Sequence, residues 1–169
     1  NFKQTDILNE NTLKEQIFDA DLIYHLAGIT DVGSTIDDVN KKRDNEIKKV
    51  GVQGTRNIIK FSGENTKIIF PSTHVVFEGL NKVIKDIDEN FIPSPVLEYP
   101  KGKAQSEIDL MNCGKSYVIL RLGSLYGKSF DSMRLNIMPN LFSKMSALGQ
   151  NINIYSGGKQ LKSLVSVID

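Results

Sequence analysis

Short apolar runs alternate with longer stretches of helical spacing along this 169-residue chain. Asp21-Leu22-Ile23-Tyr24-His25-Leu26-Ala27-Gly28 reads as a buried strand with its apolar centre at Leu22 to Tyr24. Its small-residue exit, Ala27-Gly28, lets another backbone or a ligand come close. Lys67-Ile68-Ile69-Phe70 makes a second buried strand, with Pro71-Ser72-Thr73 at its carboxyl end. Tyr117-Val118-Ile119-Leu120-Arg121 makes a third, leaving through Gly123 and Gly127. Ile152 to Tyr155 alternates like a strand, Gly157-Gly158 turns, and Leu164 to Ile168 closes as one more.

Helices fill the intervals. Asn9 or Asn11 caps a short one through Phe18. From 36 to 61 the pattern is helical, with Ile47, Val50, Gly54, Ile58 and Phe61 at spacings of three and four. Lys41 to Lys49 then reads as a solvated face. A glycine inside a helix costs about 1 kcal/mol relative to alanine, so Gly54 implies close packing against the sheet or a cofactor. Residues 78–97, with Gly79, Pro93 and Pro95, read as a long loop. A helix starts at Tyr99, with Pro100 suited to its first position, and runs to Cys113 before Gly114. Another spans 136–148, ended by Gly149. This alternation implies an α/β fold, a doubly wound and mostly parallel sheet.

Composition narrows the function classes. A formal net charge of +1, with 40% hydrophobic and 24% charged residues, is ordinary for a soluble globular chain. It offers no field for nucleic acid or a membrane surface. No apolar run approaches the ~20 residues of a membrane span, and Asn1 to Asp6 does not read as a secretory signal. Cys113 is the single cysteine, which excludes an intramolecular disulfide and points to a reducing, cytoplasmic setting. No His, Cys, Asp and Glu cluster has metal-ligand spacing. There is no Gly-x-Ser-x-Gly elbow, and Gly157-Gly158-Lys159 lacks the rest of a phosphate-binding loop.

The candidate chemistry lies in Tyr99-Pro100-Lys101-Gly102-Lys103. On a helix, Tyr99 and Lys103 share a face one turn apart. An ammonium nearby favours the phenolate, and such a tyrosine can exchange a proton at an alcohol carbon as hydride leaves or arrives. The same spacing also fits a surface tyrosine beside a solvated lysine. His25, in a buried strand, reads as a structural hydrogen-bond partner. His74 reads either as an extra acid/base or as a wall of the pocket.

Several segments, in order, resemble the extended short-chain dehydrogenase/reductase family of NAD-dependent nucleotide-sugar epimerases, dehydratases and ketoreductases. They are Asp6-Ile7, Tyr24-His25-Leu26-Ala27-Gly28, Gly54-Thr55-Arg56-Asn57, Phe70-Pro71-Ser72-Thr73, Tyr99 with Lys103 and then Glu107, Arg121 to Gly127, and Tyr155 to Gln160. The resemblance implies a Rossmann-like sheet and NAD or NADP as cofactor. Thr73, Tyr99 and Lys103 would be catalytic. Asp6, Ile7, Leu26, Ala27, Gly28 and Ser72 would join Tyr99 and Lys103 in holding the cofactor. Thr73, Ser124 and Lys162 would contact a nucleotide-sugar substrate. Lys162 also fits an exposed strand residue. Helices spanning 36–61 and 99–113 would pair in a homodimer.

Departures from the family pattern shape the expectation further. The glycine-rich loop expected after a first strand does not precede Asp6, so the chain reads as beginning at the third strand. Strands one and two would lie between the third and fourth, which leaves the sheet gapped, with an unpaired edge and uncovered apolar surface. The expectation is a single partial dinucleotide-binding domain over 1–169, incomplete at both ends, with 130–169 beginning the substrate-binding portion. The whole protein would run to roughly 280–320 residues. Gly51, Gly102 and Ser124 replace residues frequent in the family. Val75 cannot transfer protons, which disfavours a 4,6-dehydratase, and Phe77-Glu78-Gly79 resembles a keto-sugar reductase segment. The leading reading is an epimerase acting through Thr73, Tyr99 and Lys103. A keto-sugar reductase and a non-catalytic dinucleotide-binding protein are the alternatives.

Overall fold

The computed structural model describes residues 2–30, 41–130 and 133–168. Two compact units form, Asn1–Arg121 and Leu122–Asp169.

In the first unit, Asp6 turns the chain by accepting the Leu8 N–H on its carboxylate at 2.9 Å. Asn9 then caps α1 (Glu10–Ile17), its side chain accepting from the Thr12 N–H. After α1 comes β1 (Leu22–Tyr24). Residues 31–40 lie outside the described residues, and with them the first part of the helix expected over 36–61. The rest of that helix is α2 (Lys41–Lys48), one π turn (Lys49–Gln53) and α3 (Gly54–Phe61). An unbroken helix was expected. The break sits where the Gly51 carbonyl accepts two hydroxyls, Thr55 Oγ1 at 2.6 Å and Ser106 Oγ at 3.2 Å. Side chains inserted at a helix carbonyl open its ladder in this way.

β2 (Lys67–Thr73) carries the Pro71-Ser72-Thr73 segment as its own end, and a 3-10 turn (His74–Phe77) follows. α4 (Glu98–Met111) starts one residue earlier than the sequence predicts. Pro100 is therefore its third residue, still in the first turn, where a backbone N–H has no intrahelical acceptor to lose. Gly114, at φ +72°, stands beyond the helix end and leads to β3 (Tyr117–Leu122).

The sheet order is β1-β2-β3, and β1 pairs in parallel with β2, Leu22 opposite Lys67 and Tyr24 opposite Ile69. Helices lie over one face. Leu13, Ile58 and Leu110 meet Ile68 and Phe70 there, with Ile23 and Ile119 at the margin. Each such side chain buried contributes about 1.5–3 kcal/mol. The expected burial of β1 on both faces is corrected: Leu22 is 44% and Tyr24 61% exposed. Successive strand residues alternate sides. Ile23 and His25 take the covered side, while Leu22 and Tyr24 stand on the more open one.

In the second unit, β4 (Ser124–Tyr126) pairs in parallel with β5 (Leu164–Ser166), and α5 (Met138–Ala147) lies between them in sequence. The strand expected over Ile152 to Tyr155 does not form. Residues 151–154 adopt no regular element, and Tyr155–Gly158 is a 3-10 turn with Gly157 and Gly158 at positive φ. Alternation makes a strand only where a partner edge exists, and no strand among the described residues lies beside this one. The expected last strand is shortened too. Past Ser166 the Ile168 N–H turns back to the Ser166 hydroxyl. The architecture is thus α/β with parallel strand pairs, Rossmann-like, its sheets incomplete as the sequence predicts. No helix among the described residues is long and apolar enough to cross a membrane.

Gly54 finds its explanation in packing rather than in a ligand. A Cβ there would overlap Ile7 Cδ1 and come within 2.9 Å of Ile7 Cγ1. Gly54→Val is expected to destabilise the protein by about 1–3 kcal/mol, the usual range for overpacking. Urea midpoints measure it. The cost should shrink when Ile7 is cut back to Ala in the same molecule, since the two sites share one contact.

Candidate active site

The site is built on the first two turns of α4 and the strand ends facing them. Leu97 opens α4 without a side-chain cap of its own. Glu78 fills that role from a distance, its Oε1 accepting the Val96 N–H at 2.9 Å and the Leu97 N–H at 2.6 Å. A carboxylate at this end also suits the helix dipole. Tyr99 and Lys103 then fall on one face, with the Lys103 ammonium 6.0 Å from the centre of the Tyr99 ring.

Lys103 is held from three sides. Its Nζ donates to the Pro71 carbonyl at 2.7 Å and lies 4.3 Å from the centre of the Phe70 ring. Burial lowers its pKa to about 8, against the opposing charge of Glu107. Glu107 continues the same stripe one turn further and is itself buried. It accepts the Ser72 hydroxyl and pairs with Arg121, whose Nη2 stands at 2.8 Å and Nε at 3.1 Å.

A pocket opens beside this stripe. Tyr99, Gly102 and Lys103 line one side, and His25, Ala27, Gly28 and Gly51 line the other. His25 is buried, with Nε2 2.9 Å from Thr55 Oγ1. The one Thr55 hydroxyl proton goes to the Gly51 carbonyl, so the imidazole must donate through Nε2 and leave Nδ1 as a bare acceptor. That Nδ1 is buried without a hydrogen-bond partner. Burial first, then the nearby charge of Lys103, pushes the His25 pKa down to about 4, so the ring is neutral at pH 7.

Of the residues singled out in the sequence, the pocket gathers Ala27, Gly28, Tyr99 and Lys103. Thr73 is buried at the end of β2, its side-chain oxygen accepting the Val75 N–H at 3.3 Å. Ser72 spends its hydroxyl on Glu107. Leu26 is exposed beside the pocket without lining it. Asp6 is exposed, while Ile7 packs against the core and its carbonyl accepts the Asn57 amide at 2.9 Å. Ser124 and Lys162 belong to the second unit, where the Ser124 N–H donates to the Ser163 carbonyl and Lys162 is exposed.

Sequence reasoning passed over the roles of Glu78, Glu107 and Arg121. Glu107 was within reach as the i+4 continuation of Tyr99 and Lys103. Nothing in local spacing pairs it with Arg121 on another element. No group of three or more His, Cys, Asp or Glu side chains gathers for a metal among the described residues.

A sequence model of the NAD dependent epimerase/dehydratase family matches residues 1–169. The chain belongs to that family. Among its relatives is the UDP-N-acetyl-alpha-D-glucosaminuronate decarboxylase of Bacillus cytotoxicus, 24% identical over 96% of this chain and 51% of that protein. The UDP-glucose 4-epimerase of Thermotoga maritima, solved with UDP-glucose, superposes with a TM-score of 0.80 at 22% identity. The match covers 99% of this chain and 55% of that one. The UDP-glucuronic acid 4-epimerase of Bacillus cereus, solved with UDP-glucuronic acid and NAD, gives 0.75 at 22%, covering 99% and 52%. At such identities the structural likeness speaks for the fold. The chain spans about half the length of these family members.

The pocket's chemistry accords with a dinucleotide. A Cβ at Gly28 or Gly51 would meet nothing within 4 Å, so bare backbone faces open space there, and the His25 Nδ1 on the same wall lacks a donor.

The neutral His25 carries a pH signature. Between pH 6.5 and about 4 the unfolded chain takes up a proton at this residue that the folded chain refuses, so stability falls as pH falls through that window. The loss from this one group is on the order of 3 kcal/mol. Urea midpoints against pH are expected to show it, with a flatter profile across the window in His25→Gln.

Proposed function

We propose that this chain carries the catalytic centre of an NAD(P)-dependent epimerase-type oxidoreductase acting on a nucleotide-activated sugar. The observation that carries the reading is the half-buried Lys103 ammonium beside the Tyr99 ring, in a pocket also lined by Ala27 and Gly28. Family membership and the nucleotide-sugar ligands of the Thermotoga and Bacillus epimerases support it.

In this mechanism Tyr99, as phenolate, removes the proton from a sugar hydroxyl while the carbon bearing it gives up hydride. NAD(P), when bound, supplies the hydride acceptor and then the hydride donor. Lys103 keeps a positive charge beside the phenolate, and Thr73 hydrogen-bonds the substrate oxygen as it becomes a carbonyl. Tyr99 returns its proton when hydride comes back to the opposite face, so proton and hydride balance over the cycle. Ala27 and Gly28 would let the dinucleotide approach the backbone, with Lys103 donating to its ribose. Asp6 and Leu26, both exposed, would extend that contact, Asp6 through the carboxylate oxygen not taken by the Leu8 N–H. Ile7 and Ser72, with their side chains engaged, have only backbone to add.

Tyr99→Phe in the full-length protein is expected to lower turnover by about 10²–10⁴-fold, the scale of general acid–base catalysis, and to leave cofactor affinity unchanged. Unchanged turnover would remove Tyr99 from the mechanism. An epimerase also leaves nicotinamide absorbance unchanged over many turnovers. Net consumption of NAD(P)H would favour the keto-sugar reductase instead.

The charged state of Lys103 adds a second test. Its pKa of about 8 implies that kcat/KM declines above pH 8 as the ammonium is lost. A profile flat to pH 10 would contradict the role given to that charge.

A further inference from the structure

We infer that Glu107 is a positioning residue for the Tyr99–Lys103 pair, fixing the end of β2 against α4 through Ser72 and Arg121. The inference rests on the reading proposed above.

Three elements meet at this carboxylate. From β2, the Ser72 hydroxyl donates to Glu107 Oε1. From β3, Arg121 closes on it with Nη2 and Nε, both within 3.1 Å of Oε2. From α4 itself, Glu107 stands one turn beyond Lys103, on the Tyr99 face. Ser72 lies between Pro71, whose carbonyl takes the Lys103 ammonium, and Thr73, the proposed substrate-oxygen donor. A shift of Ser72 along α4 therefore moves the ammonium's acceptor and the threonine together. Arg121 extends the brace outward, its Nη1 donating to the Glu89 carbonyl at 3.1 Å and its guanidinium lying 5.3 Å from the Phe77 ring. Phe77 meets Phe91 edge to face at 5.9 Å, so the loop leading into Tyr99 leans on the same ion pair. Glu107 also offsets part of the burial penalty on Lys103.

A buried carboxylate could serve stability alone, and the test must separate the two roles. Removing one partner strands a buried charge and threatens folding, whereas removing both charges is often tolerated. The informative protein is therefore the full-length Glu107→Gln/Arg121→Met double variant, assayed beside Glu107→Gln and Tyr99→Phe. Urea midpoints monitor folding, and turnover, substrate KM and NAD affinity are measured on each. The double variant is expected to regain the urea midpoint while kcat stays about 10–100-fold down, the scale of a small misplacement of reacting groups. Its KM and NAD affinity should lie within about twofold of the parent. If kcat returns together with the midpoint, Glu107 is a stabilising residue only and the inference fails. If the double variant does not fold, the charge-retaining Glu107→Asp, which draws the carboxylate back by one methylene, takes its place. A kcat equal to the parent's in folded Glu107→Asp equally overturns the inference. Tyr99→Phe keeps the two levels apart. Normal turnover in Tyr99→Phe removes the underlying reading, while a dead Tyr99→Phe beside a fully active double variant removes only the role of Glu107.

Discussion

The site depends on keeping one ammonium charged while most of its water is taken away. Moving the Lys103 pKa from 10.5 to about 8 corresponds to about 3 kcal/mol against the charged form. An ammonium taken out of water carries an effective penalty of several kcal/mol and needs compensation. Here the Pro71 carbonyl, the face of Phe70 and the field of Glu107 supply it. A charge-assisted hydrogen bond contributes about 1.5–3 kcal/mol, and a desolvated cation over a ring about 2 kcal/mol. The sum leaves Lys103 charged at neutral pH with little margin. A cation in that condition interacts strongly with whatever anion forms beside it, because little water remains to screen it.

α4 acts as the ruler for this arrangement. Tyr99, Lys103 and Glu107 recur every four residues, so a single helical face presents a phenol, an ammonium and the carboxylate behind them. The helix must therefore be fixed along its length as well as laterally. Glu78 holds its start through the Val96 and Leu97 amides, and Ser106 reaches the Gly51 carbonyl in the π turn. At Gly102 a Cβ would stand 3.8 Å from Val52. That distance is ordinary van der Waals contact. The serine frequent in the family at this position is thus exchanged here without a steric demand for glycine. Gly51, another departure, gains a role: its carbonyl gathers two hydroxyls, and its missing side chain leaves the pocket wall bare.

What the sequence made legible was local. The Tyr99–Lys103 spacing, the Asn9 cap and the small residues after β1 each state their geometry within a few positions. Gly54 announced a close approach but not its partner, because Ile7 lies far off in sequence. The Gly-Thr-x-Asn resemblance likewise concealed one close approach and two long-range hydrogen bonds: Gly54 against Ile7, Thr55 to His25, and Asn57 to the Ile7 carbonyl. β1 was misjudged because an apolar run reads the same whether one or both of its faces are covered. Ile152 to Tyr155 had the alternation of a strand and no edge to join. The pairing of Glu107 with Arg121 was hidden for a related reason, since an ion pair across two elements leaves no periodic trace.

Several costly arrangements in the first unit lie around the pocket. His25 keeps a buried nitrogen without a donor, a defect worth about 1–3 kcal/mol, and Lys103 carries a desolvation penalty that lowers its pKa to about 8. Glu107 and Arg121 form a buried pair of the kind that apolar residues of similar volume often replace at no loss or with a gain of about 1–4 kcal/mol. The apolar cluster of Leu13, Ile58, Ile68, Phe70 and Leu110 meets the pocket at Phe70, whose ring faces Lys103 and His25. Stability alone gives no reason for these costs to sit together on one helix face and the strand ends opposite it. A reaction that develops negative charge on oxygen beside Tyr99 does give one. Such a reaction needs a poorly solvated cation held in place, and it needs rigid polar neighbours to hold it there.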